Sequence, residues 1–306
     1  MRHDIRDVLV LILVLLVVTV VSGDEVAIRY TIVGFNARHD DLDEGALSWD
    51  NRREVAVELL RAQRPDIVGL QEASADQRGD LEVLGLDCIE CSPGFSNHNA
   101  ILYCGDKLEV IESGVFRLSD TPDVPESTSW GNEFPRWVTW VLLRPRRDSS
   151  AADDNRFLLY NTHLDHQSQP SRMWSLRAIM AHAREKNENK ESEDRRTGLL
   201  PMVLMGDLNA KPDWPELDFL LQEDEEFPHL PLRDVLAREG ADQEVDGTFH
   251  AFDGEPELDR VDYVLVSAGI DSHGGAILTG KGPDGIPPSD HFPIRVEISP
   301  GTVREQ

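Results

Sequence analysis

The sequence predicts a single α/β domain in which helices cover packed β-sheets. Three observations lead there. Short apolar runs of strand length are interleaved with a few helical patterns in mixed order rather than strict alternation. No composition break and no internal repeat interrupts residues 24–298. The chain has 306 residues, 40% of them hydrophobic, which is enough for one substantial core.

The elements follow in order. Residues 28–35 read as a strand. Residues 51–63 read as a helix with Val55, Leu59 and Ala62 on one face, Asp50 as its N-cap and Pro65 as its stop. Residues 66–71 read as a buried strand. Residues 137–143 and 157–163 read as paired strands joined by a polar loop, 144–156. Residues 171–183 read as a helix, with Pro170 near its start and Met173, Leu176, Met180 and Ala183 spaced for burial. The polar stretch 184–198 reads as a solvated loop or a frayed helix end. Strands are expected at 202–205, 260–266 and 293–298, and a short helix at 215–221.

The N-terminus sets the compartment. Arg2 and Arg6 precede an apolar run over residues 8–21, and small residues at Val21-Ser22-Gly23 are followed by Asp24. This is the layout of a secretory signal peptide. The run is shorter than the roughly 18 or more residues of a membrane span. Residues 1–23 are thus expected to be a signal peptide or an uncleaved anchor, and the protein to be exported, periplasmic or extracellular. Membrane association is expected only through that segment, and the protein is expected to be a monomer.

Net charge is −27, and lysine occurs only at Lys107, Lys186, Lys190, Lys211 and Lys281. Binding to long nucleic acid draws on phosphate neutralisation by a basic stripe, so the charge balance disfavours such partners. Of the three cysteines, Cys88, Cys91 and Cys104, two at most would pair. A zinc site lacks its second ligand pair.

The informative pattern lies at the strand ends. Asn36, Glu72, His163, Asp165, Asp207, Asn209 and Asp262, with the pair Asp290-His291, each sit where an apolar run ends or begins. One carboxylate at a strand end is ordinary, but open α/β sheets carry ligands at strand ends, and six such places would converge on a rim. Buried carboxylates in one place cost free energy unless a positive charge lies between them. Oxygen donors favour Mg²⁺, with Mn²⁺ or Ca²⁺ as alternatives. In extended chain, residues two apart point the same way, so Asp207 with Asn209, and His163 with Asp165, would address one ligand. Asp262 is placed to hold the His291 tautomer.

Read together, Gly34-Phe35-Asn36, Pro65-Asp66 through Gln71-Glu72, Asn161-Thr162-His163-Leu164-Asp165, Gly206-Asp207-Leu208-Asn209-Ala210, Arg260-Val261-Asp262-Tyr263 and Ser289-Asp290-His291-Phe292-Pro293 resemble, in order, the endonuclease/exonuclease/phosphatase superfamily, with its pancreatic-deoxyribonuclease-like fold. The resemblance implies a four-layer α/β/β/α sandwich of two mixed sheets, with residues 24–299 as the catalytic domain and 300–306 as a tail. It implies Glu72 as the main metal ligand with Asn36 and Asp290 nearby, and Asp207 orienting or deprotonating water. It implies that Asn209 steadies the phosphoryl group, and that His163 and His291 contact phosphate oxygens, with Asp262 supporting His291. The implied reaction is metal-assisted in-line hydrolysis of a phosphodiester or phosphomonoester, on a small or lipid-like substrate.

Two further segments, 135–140 and 247–252, resemble a bacterial branch of that superfamily. They nominate Arg136 as an anion grip, and His250 with Trp130 on the leaving-group side. At least two of Trp137, Trp140 and Phe249 read as core. His166, Gln169 and Arg172 read equally as pocket or helix-cap residues. Asn99 stands about where relatives often carry an acidic or aromatic contact, and is taken as a substrate contact. A secreted nuclease and an inactive binding module of the same fold are the competing readings.

Overall fold

The computed structural model describes residues 28–42, 44–89, 98–124, 126–146, 155–188, 199–237, 247–252 and 260–301. The leader-like start and most of both polar stretches lie outside these residues, as does Cys91. Among the described residues no helix is long and apolar enough to cross a membrane. Cys88 is exposed and Cys104 half-buried.

The elements run β1 (Tyr30–Asn36), α1 (Trp49–Gln63), β2 (Ile67–Gln71), α2 (Ala75–Leu81), β3 (Asp87–Ile89), β4 (Ala100–Tyr103), β5 (Leu108–Arg117), β6 (Trp137–Pro145), β7 (Phe157–His163) and α3 (Gln169–Glu188). They continue with β8 (Met202–Asp207), α4 (Pro215–Leu221), β9 (Arg233–Asp234), β10 (Asp262–Val266), β11 (Ile270–Ile277) and β12 (Ile294–Pro300). Two six-stranded sheets form, in the orders β11-β12-β1-β2-β4-β3 and β5-β6-β7-β8-β10-β9. Each is antiparallel except for one central parallel pair, β1 with β2 and β7 with β8.

Strand alternation builds the layers. On β8, Val203 and Met205 face the other sheet, where they meet Ile32, Ile67 and Val296. Met202 and Leu204 face outward onto Leu176, Ile179 and Met180 of α3 and Leu217 of α4. On β1, Val33 and Phe35 face Ala56 and Leu60 of α1. These three apolar interfaces make the four-layer α/β/β/α sandwich, as the strand patterns require.

Several elements differ from expectation in detail. α1 begins two residues early, and its buried face is Trp49, Arg52, Ala56 and Leu60. Asp50 lies inside the helix, and Ser48 takes the N-cap position. A charged residue, Arg52, sits at the centre of the buried face, so hydrophobicity alone selects the wrong stripe. α3 runs through residue 188, so the second polar stretch begins as helix. Short α2 carries a complete capping box between Ser74 and Gln77. β12 extends through Pro300.

One polar pin crosses the interface between the sheets. Asn161 of β7 is fully buried and donates to the Leu70 and Ala100 carbonyls at 2.8 and 2.9 Å, while the Gln71 amide donates to its Oδ1 at 2.6 Å. Gly69 beside it leaves room for Met205, whose side chain would have to shift to admit a Cβ there, 2.6 Å from its Cε. The pin fixes the register of one sheet on the other next to the strand ends that matter below. Asn161→Ala is expected to lower unfolding free energy by about 3 kcal/mol, since each stranded buried group costs ~1–3 kcal/mol. Urea unfolding followed by tryptophan fluorescence measures this.

Candidate active site

Both parallel pairs end at the same edge of the sandwich. β1 and β2 run in register to Asn36 and Gln71, which places Glu72 one residue beyond. β7 and β8 align His163 with Asp207, and antiparallel β10 aligns Asp262 with Asp207. Asp290 and His291 arrive just before β12. They are anchored by a 2.9 Å bond from the His250 N–H to the Asp290 carbonyl and a 2.8 Å bond from the Phe292 N–H to the Thr248 carbonyl. Register alone therefore gathers side chains from five strand ends.

The backbone is unusual at these ends. Glu72, Arg38 and Asn209 hold left-handed conformations with φ of 53°, 56° and 47°. Such conformations in non-glycine residues persist only where the surroundings over-determine them. Gly206 has φ 129°, and a Cβ there would collide with the Thr162 carbonyl, so the step into Asp207 requires glycine.

The side chains form one connected cluster. Asn36 is buried and directs its amide nitrogen to Glu72 Oε1 at 3.2 Å and Asp207 Oδ2 at 3.1 Å, while its oxygen accepts the Arg38 N–H. The His39 N–H donates to Glu72 Oε2 at 3.2 Å. His163 Nε2 lies 3.5 Å from Asp207 Oδ2, and His291 Nε2 lies 3.8 Å from the same oxygen. His291 Nδ1 is 2.8 Å from Asp262 Oδ2. Arg38 Nη1 is 3.3 Å from Asp290 Oδ2.

Electrostatics separates the two histidines. Burial, with Arg136 nearby, lowers His163 to about 4 and leaves it neutral. Burial also opposes charge on His291, but the Asp262 carboxylate and its hydrogen bond, with Asp207 and Asp290, raise it to about 10. Burial pushes Glu72 up, yet the surrounding groups hold it at about 2. His163 is the largest of these influences, followed by the Asn36 amide, the His39 N–H and His291. Burial raises Asp207, with Asp262 adding to it, and burial raises Asp290. Carboxylates held above their usual range at one point are under-compensated. Asp207 and Asp290, with the ionised Glu72, offer hard oxygen donors that fit a divalent cation. Asp207, Asp262 and His291 also present ligand atoms within 4.8 Å of one another.

The cluster floors a cavity of about 1060 Å³. Its wall includes Glu72, Asn99, Arg136, His163, Asp207, Asn209, Asp290 and His291, all expected. Asp262 stands behind His291. The Asn99 amide donates to the Trp137 carbonyl at 3.2 Å. Arg136 enters 3.6 Å from Asp165 and 3.2 Å from His166 Nδ1.

Two expected substrate contacts lie outside the cavity wall. Asp165 is fully buried and turned toward the start of α3, where it accepts the Gln167 and Ser168 N–H groups at 3.0 and 2.7 Å. β7 ends at His163, so the two-residue alternation stops before reaching Asp165. His250 is buried, with its ring centroid 4.1 Å from that of Phe292. Its main chain carries Asp290, and its side chain faces away. Nor do Asp207 and Asn209 share an extended strand: the left-handed turn at Asn209 sends its amide to the Leu164 carbonyl at 3.0 Å. Trp130 donates to Asp120 and stacks on Trp174, outside the wall. Arg172 is buried against Glu216 at 2.6 Å, while His166 does line the cavity. Trp140 is core, whereas Trp137 and Phe249 also face the cavity.

Sequence reasoning missed Arg38, His39, His98, Phe134, Lys211 and Trp214 in the wall. Arg38 and Lys211 each stand two residues beyond a nominated residue, Asn36 and Asn209, which was the available signal.

Several known proteins are similar to this chain. Residues 33–291 match the Endonuclease/Exonuclease/phosphatase family. A family protein of Bacteroides thetaiotaomicron superposes with TM-score 0.72 at 26% identity, covering 89% of this chain and 95% of its own. A mannosyl-6-phosphatase of the same organism superposes with TM-score 0.72 at 26% identity, covering 88% and 99%. An uncharacterised protein of Acanthamoeba polyphaga mimivirus is 31% identical over 130 residues, 38% of this chain and 46% of that one, so the chain spans under half of that relative. A family match that begins in the first strand and closes on His291 spans every strand end gathered here, and it makes this chain a member of the endonuclease/exonuclease/phosphatase family of phosphoester hydrolases.

Proposed function

We propose that the protein is an exported, divalent-metal-dependent phosphoesterase acting on a small phosphoester. The observation that carries this reading is the meeting of under-compensated carboxylates with one neutral and one protonated histidine on the floor of a single cavity. Glu72 and Asp290, with Asn36 beside them, would hold Mg²⁺, or Mn²⁺ or Ca²⁺. When bound, such an ion neutralises the phosphoryl oxygens and lowers the barrier to attack.

The protein's own groups do the rest. Asp207 orients the attacking water and takes its proton, a role its raised affinity for protons suits. Neutral His163 accepts from or donates to the same region according to its tautomer. Protonated His291 donates from Nε2 to a phosphoryl oxygen as negative charge builds there, and Asp262 fixes Nδ1. Asn209 is the neutral donor beside Asp207. Arg136 binds a phosphoryl oxygen or a second anionic group, and Asp165 supports Arg136 from behind.

The charge distribution favours a compact substrate over long nucleic acid. The net charge is −27, and the cavity sets Arg38, Arg136, Lys211 and protonated His291 among the carboxylates of Glu72, Glu126, Asp207 and Asp290. Attraction for phosphate would come from these few cationic groups, while the chain as a whole repels polyanions. The mannosyl-6-phosphatase likeness supports a phosphorylated sugar among the candidates. The leader-like start supports export.

Hydrolysis of p-nitrophenyl phosphate and bis-p-nitrophenyl phosphate is the first test, with Mg²⁺, Mn²⁺, Ca²⁺ or chelator. Turnover is expected with a divalent ion, lost to chelator, and reduced on the order of 100-fold or more in Asp207→Ala and His291→Ala. Folded protein that is inactive with every ion would overturn the reading. Arg136→Ala is expected to lower kcat/KM roughly 10- to 100-fold, the worth of one hydrogen bond to a charged group, chiefly through KM. Asp165→Asn should shift KM the same way by less, because it acts through Arg136. An unchanged KM in both variants would remove Arg136 from substrate binding.

A further inference from the structure

Arg52 is the largest fully buried side chain, and none of the chemistry above uses it. Its guanidinium donates to four main-chain carbonyls on three segments. Nη1 reaches Ala37 at 2.9 Å and Pro288 at 2.7 Å, Nη2 reaches Arg38 at 3.2 Å, and Nε reaches Leu47 at 2.6 Å. Its Cζ lies 5.4 Å from the Trp49 ring centroid and 5.2 Å from that of Phe252.

Two of these segments, and the one that carries Phe252, lead to the active site. Ala37 and Arg38 follow Asn36, and they precede the His39 N–H that holds Glu72. Pro288 directly precedes Ser289-Asp290-His291. Phe252 ends the stretch whose Thr248 and His250 main chains hold Phe292 and Asp290. Gln77 donates to the same Arg38 carbonyl at 2.9 Å, so two side chains clamp a residue held at φ 56°. For stability alone, a buried cation is a poor choice, since an apolar side chain of equal volume serves as well. Only a planar fork with several fixed donors can bind carbonyls on three segments at once.

We propose that Arg52 is a positioning residue that sets the loop carrying Asp290 and His291 against the loop carrying Arg38 and His39, and so aligns the phosphoesterase site. The proposal rests on the function given above for its kinetic readout only. Lysine at this position keeps the charge and loses the fork.

The test compares Arg52→Lys with a truncation in the core between the sheets that makes none of these contacts, Leu236→Ala, each judged against its own loss of Tm. Arg52→Lys is expected to lower kcat by about 10- to 100-fold with KM within about twofold, as displacements near 1 Å can do. The midpoint of the Mn²⁺-induced rise in Tm should move to higher concentration, and amide exchange should quicken at residues 37–39 and 286–292. Leu236→Ala should change none of these. If Arg52→Lys stays folded with unchanged kcat, Mn²⁺ midpoint and exchange, or changes only as Leu236→Ala does at equal loss of Tm, the proposal is overturned. Should the wild-type chain show no phosphoesterase activity, the functional reading fails alone, and exchange with the Mn²⁺ titration still decides the role of Arg52.

Discussion

Buried negative charge held at one edge of a sandwich is the constraint on which the rest of this structure depends. Glu72, Asp207, Asp262 and Asp290 approach one another where water is largely excluded, and three of them are nearly fully buried. Left alone they would protonate or push the strand ends apart. Each is instead given a specific partner. The Asn36 amide bridges Glu72 and Asp207, His291 faces Asp262, and Arg38 faces Asp290. The compensation is incomplete at Asp207 and Asp290, which leaves the place short of positive charge.

The sandwich supplies the convergence. A chain crossing from β1 to β2 through α1, and from β7 to β8 through α3, must put the second strand parallel to the first. Both parallel pairs therefore deliver their C-terminal ends to one side. The Asn161 pin and the bare Cα of Gly69 hold the sheets close there, so that the two sets of strand ends act as one site. Left-handed backbone at Arg38, Glu72 and Asn209 then turns each chain across the rim rather than away from it.

Much of this was legible in the sequence, and the reasons are specific. Strands such as β2 and β8 are buried on both faces, so they appear as uniform apolar runs, and the polar residue ending each run stands out. Asp207 and Glu72 could be found for that reason. β5 and β11 are half-exposed edge strands with mixed composition, and nothing in their local sequence sets them apart from loop. Asp165 was misplaced because alternation holds only while the strand continues, and His250, nominated by resemblance alone, packs its ring on Phe292. Arg52 was invisible because a charged residue in the middle of a helix reads as solvent-facing, and only the carbonyls that other segments bring to it reverse that reading.

The acidity of the chain and the cationic groups in its cavity act at different ranges. A phosphoesterase with a generally basic surface would collect polyanions of every kind, and its selectivity would have to be built entirely from contacts at the reacting centre. Here the long-range field of a −27 chain opposes approach by long polyanions. Salt screens that field beyond about 10 Å, so a small phosphoester meets mainly what lies at the mouth and walls of the cavity. There Arg136, Arg38 and Lys211 stand among the carboxylates of Glu72, Glu126, Asp207 and Asp290. On the function proposed above, selection by size would follow from this difference in range, before any contact with the leaving group is made. The positive groups that offset repulsion among the carboxylates of the site would then be the ones a phosphate meets first.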